Sequence, residues 1–460
     1  MNSGAEAGRH AHAGPEENGT RTKQVLLVNG WSDDNKGDAA IVQGFHSLLA
    51  AAADRVGLQL RLGIVSNFSR DSEDFDYHYR HSRRSFEAGI FGAIIPTNLR
   101  DAPGGAMGKG IRRAGQFLTS LLTLAFPTRS RPPWLSSAQA ETLAQFQRAS
   151  MVVSKGGHIY ASTGSPLSLL GLYSNLYPLL LAQRLRVPTG VYAQSIGPVR
   201  GGLQRMLVGG VLERCDFVYV REEQSREYVR QLLPNVGPDK LQLVWDTAFG
   251  VTEEALQPET ARKLPPEFVA VTVRQWRFPY SPDGVRGRLY EQYLNSMADV
   301  VRRLVVEVGT QVVVVPQVIG PTALENDLVA GLQLAERLVG LDGVTYLTED
   351  LTAGQLRQLY SRATMLIGTR FHSVILALSA LTPAVAISYH GFKTKGIMQM
   401  LDLASYALDI GSLSPDELWE RVRAVFDARD EYRAHLRARM DDVIAEAASE
   451  ADRAVAVMAA

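Results

Sequence analysis

The stretch TMLIGTRFHSVILALSALTPAVAISYHGFKTKG, residues 364–396, decides how the rest of the chain is read. Thr364 to Ile367 is a short apolar run stopped by Gly368, and Phe371, Val374, Ile375 and Leu378 recur at helical spacing. Pro383 introduces a second apolar run, Ala384 to Ile387. Strand, turn, helix, turn and strand make a βαβ unit whose helix opens with Thr369, Arg370 and His372. A helix N-terminus carries about half a positive charge, so each cation in its first turn costs roughly 0.3–1 kcal/mol. A bound anion, held by free backbone N–H groups, the guanidinium fork and the imidazole, would offset that cost. Lys393 and Lys395, just past the next strand, fall at the same sheet edge. The competing explanation is a carboxylate partner for Arg370 and a core setting for His372.

At 460 residues the chain is expected to form two domains. Lys+Arg and Asp+Glu both number 48, so the basic excess of a nucleic-acid-binding protein is missing. The single cysteine, Cys215, rules out an internal disulfide and a multi-cysteine metal site. Residues 1–22 are polar and rich in Gly and Ala, and are expected to be a disordered tail rather than a signal peptide. Pro166 to Leu185 is the most apolar stretch, yet Ser174, Asn175 and Gln183 interrupt it. It reads as a buried helix, not a membrane span, and the expected location is the cytoplasm.

Before that unit, apolar runs alternate with helical patterns. Gln24 to Val28 is a strand leading into a polar, glycine-containing stretch, Asn29 to Ile41, that opens a helix to about Ala53 with Asp38 in its first turn. Leu60 to Ser66 and Gly89 to Pro96 are the next strands. Met151 to Ser154 runs into Lys155, Gly156, Gly157 and His158, where a glycine pair lets backbone approach a ligand. Thr189 to Gln194, Phe217 to Val220 and Leu241 to Val244 follow, with polar residues at their ends. Between 98 and 133 the pattern changes: Lys109, Arg112, Arg113, Arg129 and Arg131 flank the apolar run Phe117 to Phe126. That insert reads either as a helical hairpin packed on the domain or as a mobile lid or a basic–apolar patch touching a membrane or a lipid-linked acceptor. Neither a GxGxxG nor a Walker A sequence is present.

Residues 251–266 form the expected linker, and a second alternation starts at Phe268 to Val273, ending in Arg274. Gln311 to Pro316 ends in Gln317, and Gly343 to Leu347 precedes Thr348, Glu349 and Asp350. The expected fold is α/β: two Rossmann-like doubly wound domains, 23–255 and 267–430, facing a cleft in a glycosyltransferase-B-like layout, with a C-terminal helix over 431–460. Arg421 to Glu446 reads as a solvated amphipathic helix.

With these residues in view, the chain resembles the polysaccharide pyruvyl transferase family. The matching stretches are NKGDAAI (35–41), SKGG (154–157), AQSIGP (193–198), VREEQS (220–225), DTAF (246–249), GTRFHS (368–373) and the segment 389–395. The resemblance implies phosphoenolpyruvate as donor and a pyruvyl ketal or an enolpyruvyl-derived adduct on a sugar as product; no metal-ligand spacing stands out and arginine would neutralise the charge, so no metal or other cofactor is expected. Where the family more usually has three glycines, this chain has Lys155 before two, directed either at an anionic acceptor or at solvent. A donor with a phosphate and a carboxylate needs at least two cationic clamps, for which Arg274 and Arg370 stand ready with Lys393 or Lys395 assisting. Gln317, Thr369, Phe371 and Ser373 complete the expected donor side. His372 is the expected acid/base, its pKa lowered by the helix terminus and raised by incoming phosphate. Asn35, Gly37, Asp38, Lys155, Gly156, Gly157, His158 and Gln194 form the expected acceptor side. Asp33, Asp34 or Asp38 would be a second base, although Asp38 also suits an N-cap. Glu349 and Asp350 either orient sugar hydroxyls or cap a helix, and His78 and His81 are expected to be solvated.

Two rival functions remain. In a nucleotide-sugar glycosyltransferase of the same layout, Arg370 and Glu349 would hold the diphosphate and ribose. A non-catalytic sugar- or anion-binding protein would have no need of two cations at a helix N-terminus.

Overall fold

The computed structural model describes residues 22–97, 105–130, 132–279, 281–322, 325–389 and 393–459. Apart from Thr22, the expected tail lies outside the described residues, as do 98–104 and Arg131 of the insert and His390, Gly391 and Phe392 of the segment 389–395. The first sheet holds β1 (Thr22–Gly30), β2 (Gln59–Ser66), β3 (Gly89–Phe91), β4 (Met151–Ser154), β5 (Gly157–Thr163), β6 (Thr189–Arg200), β7 (Phe217–Val220) and β8 (Leu241–Leu243). Its order is β3-β2-β1-β4-β6-β7-β8 with β5 paired to β6, and the pairings are parallel. The second sheet, also parallel, holds β9 (Phe268–Thr272), β10 (Gln311–Val314), β11 (Val344–Tyr346), β12 (Met365–Gly368), β13 (Ala384–Ser388) and β14 (Ala407–Asp409). Its order is β11-β10-β9-β12-β13-β14.

Both sheets therefore reverse their winding, beside β1 and β4 in one and beside β9 and β12 in the other. Ligand crevices open at the C-terminal ends of strands flanking such a reversal. The central strands are continuous apolar runs because helices cover both faces: Val25–Val28 and Phe268–Val271 are fully buried. The two domains meet closely. Asn35 forms an isolated antiparallel bridge with Val318, and the Lys36 N–H donates to the Gln317 carbonyl at 3.1 Å.

Three elements differ from expectation. β6 does not stop at Gln194; it continues to Arg200 because β5, which the glycine-rich sequence disguises as a turn, pairs with its second half. The joint is marked by Ala193 at φ +51, where the β6–β7 register slips. The helix Pro166–Arg184 is buried only in its later turns, since Leu167 and Leu170 near its start are exposed. The C-terminal helix, Arg429–Ala459, is not solvated along its length. Its Tyr432, Leu436, Met440 and Val443 join the second domain's core, while Ala451, Ala454, Val455 and Met458 join the first domain's. It straps the two domains together.

Candidate functional site

The helix Phe371–Ser379 starts at the end of β12 with Arg370 as its N-cap residue. Arg370 is buried, and the carboxylate explanation is the correct one: its Nε donates to both Asp327 oxygens at 3.0 and 3.1 Å, and its Nη2 to Asp327 Oδ1 at 2.5 Å and to the Glu325 carbonyl at 3.1 Å. Asp327 also accepts from the N–H groups of Gln317 and Val318, so the pair ties the end of β10 to the end of β12. Burial disfavours the Arg370 cation, but Asp327 overrides it and raises the pKa. Thr369 and Ser373 are structural in the same sense: Thr369 Oγ1 meets Tyr293 Oη at 2.9 Å, and Ser373 Oγ donates to the Arg370 carbonyl at 2.6 Å. Phe371 is buried in the core.

Arg274, at the end of the neighbouring β9, is held differently. It is 9% exposed, and its guanidinium lies 3.9 Å from the Tyr389 ring centre and 4.8 Å from that of Trp276. Its Nε donates to the Gln275 carbonyl at 3.2 Å, and among the described residues no carboxylate pairs with it. Burial first, and then the charge of Arg370, lowers its pKa. An anion placed here would relieve both penalties.

His372 is positioned by two residues. Its Nε2 lies 3.7 Å from Asp246 Oδ2, an electrostatic contact too long for a hydrogen bond. On its other side, a Cβ at Gly37 would overlap Nδ1, so the first turn of the helix Lys36–Arg55 comes this close only because it carries glycine there. Asp246 is fully buried; burial alone would raise its pKa, but Arg221 and His372 more than offset this and lower it. Arg221, 1% exposed, donates to Asp246 at 2.5 Å, to Ser195 Oγ at 3.0 Å and to the Gly157 carbonyl at 2.7 Å. Sequence reading assigned no role to Arg221, Glu222 or Asp246, although all three fall in the stretches 220–225 and 246–249. The available signal was a charged residue directly at the end of an apolar strand.

Lys393 and Lys395 part company. Lys395 is exposed and reaches Asp409, 3.8 Å away at the sheet edge. Lys393 is half-buried and turns toward the first domain. Burial and the charge of Arg221 push its pKa down to about 7, against the pull of Glu222, Asp38 and Asp246. Its near neighbour His158 places Nε2 2.8 Å from the Gly197 carbonyl. Burial, Lys393 and Arg221 push that imidazole down to about 3, so it stands neutral with the Nε2 proton donated to Gly197.

On the expected acceptor side, Lys155 meets neither solvent nor a free anion: it is buried and pairs with Asp38. The N-cap of the helix Lys36–Arg55 is Asn35, not Asp38; its Oδ1 accepts from the N–H groups of Gly37 and Asp38 at 3.1 and 3.3 Å. Gln194 is fully buried with neither end of its amide hydrogen-bonded among the described residues. It stands opposite Gly157, and Gly156 lies so close to the Ala193 carbonyl that a Cβ would come within 2.7 Å of it. An unmet buried amide costs about 1–3 kcal/mol, which a ligand hydroxyl would repay. Gln317 has a similarly unmet Nε2, while its Oε1 accepts from Tyr360 at 2.9 Å.

Asp33 and Asp34 are consumed locally: Asp33 accepts from the N–H groups of His81 and Ser82, and Asp34 from Arg80 at 2.7 Å. Glu349 pairs with Lys263. Asp350 joins the domains, pairing with Lys36, with Arg80 at 2.6 Å and with His81 at 3.0 Å. His81 is held by this pairing while still 28% exposed, whereas His78 is not solvated: it is buried and stacked 4.0 Å from Phe68. A cavity of about 540 Å³ beside this junction is lined by Lys36, Arg80, His81 and Asp350, charges already paired with one another.

The profile of the family described as polysaccharide pyruvyl transferase matches residues 35–391. The amylovoran biosynthesis protein AmsJ of Erwinia amylovora is 24% identical over 422 residues, covering 89% of this chain and 93% of that protein. Among solved structures, a UDP-glucosyltransferase from Polygonum tinctorium aligns with a TM-score of 0.54 at 10% identity, covering 96% of this chain and 99% of that one. A UDP-GlcNAc 2-epimerase from Methanocaldococcus jannaschii aligns with a TM-score of 0.51 at 9% identity, covering 87% and 92%. At such identities the structural likeness speaks for the fold alone.

Proposed function

We propose for this chain, which belongs to the polysaccharide pyruvyl transferase family and is a transferase, that it passes the pyruvyl group of phosphoenolpyruvate to hydroxyls of a saccharide as a ketal, releasing phosphate. The observation that supports this most is Arg274, a buried arginine between two aromatic rings with no carboxylate partner among the described residues. Arg274 and Lys393 clamp the donor's anionic groups, and the pinned Arg370 adds field from behind. His372, oriented by Asp246 and Gly37, delivers a proton to the methylene carbon, which makes C2 electrophilic. A saccharide hydroxyl attacks C2 and returns its proton to His372; phosphate then leaves and takes the proton of a second hydroxyl, which closes the ketal. Gln194 and the Gly156–Gly157 backbone hold the acceptor. In this reading the protein works in the cytoplasm and invokes no metal or other cofactor, since arginine and lysine neutralise the donor.

The test is a thermal-shift and calorimetric titration with phosphoenolpyruvate, UDP and GDP, for wild type and Arg274→Ala. Arg274 is a better probe than Arg370, whose removal would strand Asp327 as an unpaired buried charge and confuse binding with folding. Phosphoenolpyruvate is expected to bind wild type and to lose at least about tenfold in affinity in the variant, the worth of one charged hydrogen-bond donor. A response confined to UDP or GDP would overturn the reading in favour of glycosyl transfer.

A further inference from the structure

The chain's charge balance hides a strong local imbalance. Between Ala102 and Leu212 there are eleven Lys and Arg and one acidic residue, Glu141, although basic and acidic residues cancel at 48 each overall. The arginines of this stretch that are described are all exposed. Arg113, Arg129, Arg148, Arg200 and Arg205 have no carboxylate partner among the described residues.

The same stretch carries an inverted helix. In Gly105–Ala125 the fully buried side chains among the described residues are polar, with Leu124 and Phe117 only partly covered beside them: Ser120 Oγ lies 2.8 Å from Tyr173 Oη, and Thr123 Oγ1 accepts from Trp134 Nε1 at 3.1 Å. The opposite side is apolar and faces outward, with Ile111 67% and Leu118 59% exposed and Leu121 beside them. Water selects the reverse pattern for a surface helix. Neighbouring helices extend the apolar surface. Pro166–Arg184 packs on the inverted helix and exposes Leu167 and Leu170, and Gly202–Arg214 packs on that one and exposes Leu203 and Met206. These last four stand just past the far ends of β5 and β6. β5 begins at Gly157, opposite Gln194, and runs to Thr163, a span of about 20 Å at 3.3 Å per residue.

We propose that this apolar, cationic face docks the enzyme on an anionic phospholipid bilayer, and that the acceptor is a saccharide carried on a lipid in that bilayer. Apolar side chains accompanied by exposed arginines such as Arg113, Arg148, Arg200 and Arg205, which have no carboxylate partner among the described residues, match the boundary of an anionic membrane, where the apolar side chains enter the acyl region and the guanidinium groups stay with the headgroups. A second copy of the chain fits less well, because it would press one strongly positive surface against another. Among the described residues no helix is long and apolar enough to cross a membrane, so the contact is peripheral. The β5–β6 ribbon then sets the distance from bilayer to acceptor cradle. The acceptor half of this inference rests on the pyruvyl-transfer reading; the docking half does not.

Vesicle flotation tests it, with phosphatidylcholine alone against phosphatidylcholine plus phosphatidylglycerol, for wild type and Ile111→Asp/Leu118→Asp. Both substituted side chains are exposed, so the fold should survive, which melting temperature verifies. Wild type is expected to float with the anionic vesicles, less so as salt rises, and the double variant to bind roughly tenfold or more weakly. Equal binding of variant and wild type, or no wild-type binding at low salt, would overturn the docking. So would sedimentation velocity showing a wild-type dimer that the double substitution dissociates, since the face would then be a self-interface. For the acceptor, the double variant should transfer normally to a water-soluble saccharide and slowly to the same saccharide on lipid in vesicles; equal slowing of both would overturn it. Silence toward phosphoenolpyruvate in wild type would sink the reaction while leaving vesicle binding intact.

Discussion

Arg274 and Arg370 look interchangeable in sequence, each an arginine at the end of an apolar strand, and differ because of a partner that sequence does not announce. Asp327 stands 43 positions from Arg370 and claims its guanidinium, leaving Arg274 as the arginine with binding capacity to spare. Arg221 was hidden for a related reason: followed by two glutamates, it reads as the solvated start of a helix, whereas it lies buried among Ser195, Gly157 and Asp246. Lys393 carries the clearest consequence for pH. With its pKa near 7, it is an ammonium below that value and an amine above it. Anion binding that needs the ammonium therefore weakens as pH rises, by about tenfold between roughly pH 6 and 8. Lys393→Arg stays charged and reports the donor's own titration as the reference. Calorimetric Kd values for phosphoenolpyruvate should climb across that range in wild type and stay flatter in the variant; parallel slopes would remove Lys393 from the donor site.

At the scale of elements, strands were legible wherever burial on both faces made the run continuously apolar, as in β1, β9 and β12. β5 was not, because its glycine, serine and threonine residues carry no apolar alternation. The C-terminal strap was misread because alanine and charged residues (Arg, Asp and Glu) dominate its composition. Its apolar positions from Tyr432 to Met458 nevertheless recur every three or four residues, which is a buried stripe. Where the strap crosses between domains, Glu450 is buried with Oε2 accepting from the Trp245 N–H at 3.0 Å. Burial pushes its carboxyl up to about 8, although the Trp245 hydrogen bond and Arg453 pull the other way. The folded chain thus holds this proton more tightly than the unfolded chain, and stability falls as pH rises from the ordinary carboxylate range toward 8. Glu450→Gln keeps an acceptor for Trp245 and removes the charge. It should melt with wild type near pH 5 and be more stable by on the order of 1–3 kcal/mol near pH 8. Melting curves that stay superimposed at both pH values would show that the carboxylate finds water in the native state.

For the molecule as a whole, the sequence made two domains and a facing cleft readable, since two alternations of strand and helix separated by a proline-bearing linker admit few other arrangements. It did not reveal how firmly the domains are joined, because the joining residues pair across very long sequence separations. Asp350 of the second domain receives Lys36, Arg80 and His81 of the first, and Arg80 reaches back to Asp34. Burial would raise the Asp350 pKa, but its hydrogen bond with His81 and the charge of Lys36 carry it below the usual carboxylate range. The stability it contributes is present above about pH 4 and is lost as pH falls further. Lys36 is the vulnerable member, 1% exposed and dependent on this carboxylate. Asp350→Ala leaves Lys36 with the Asp33 carbonyl alone, 2.7 Å away. A fully buried pair broken on one side costs about 3–5 kcal/mol, and Asp350 is a third exposed, so a loss of about 1–3 kcal/mol near pH 7 is expected. The gap between variant and wild type should close as pH falls below the carboxylate range. Scattering in solution should show the variant more open than wild type at neutral pH. A variant with unchanged melting temperature and unchanged radius of gyration would mean that the β-bridge at Asn35 and the C-terminal strap hold the cleft without this latch.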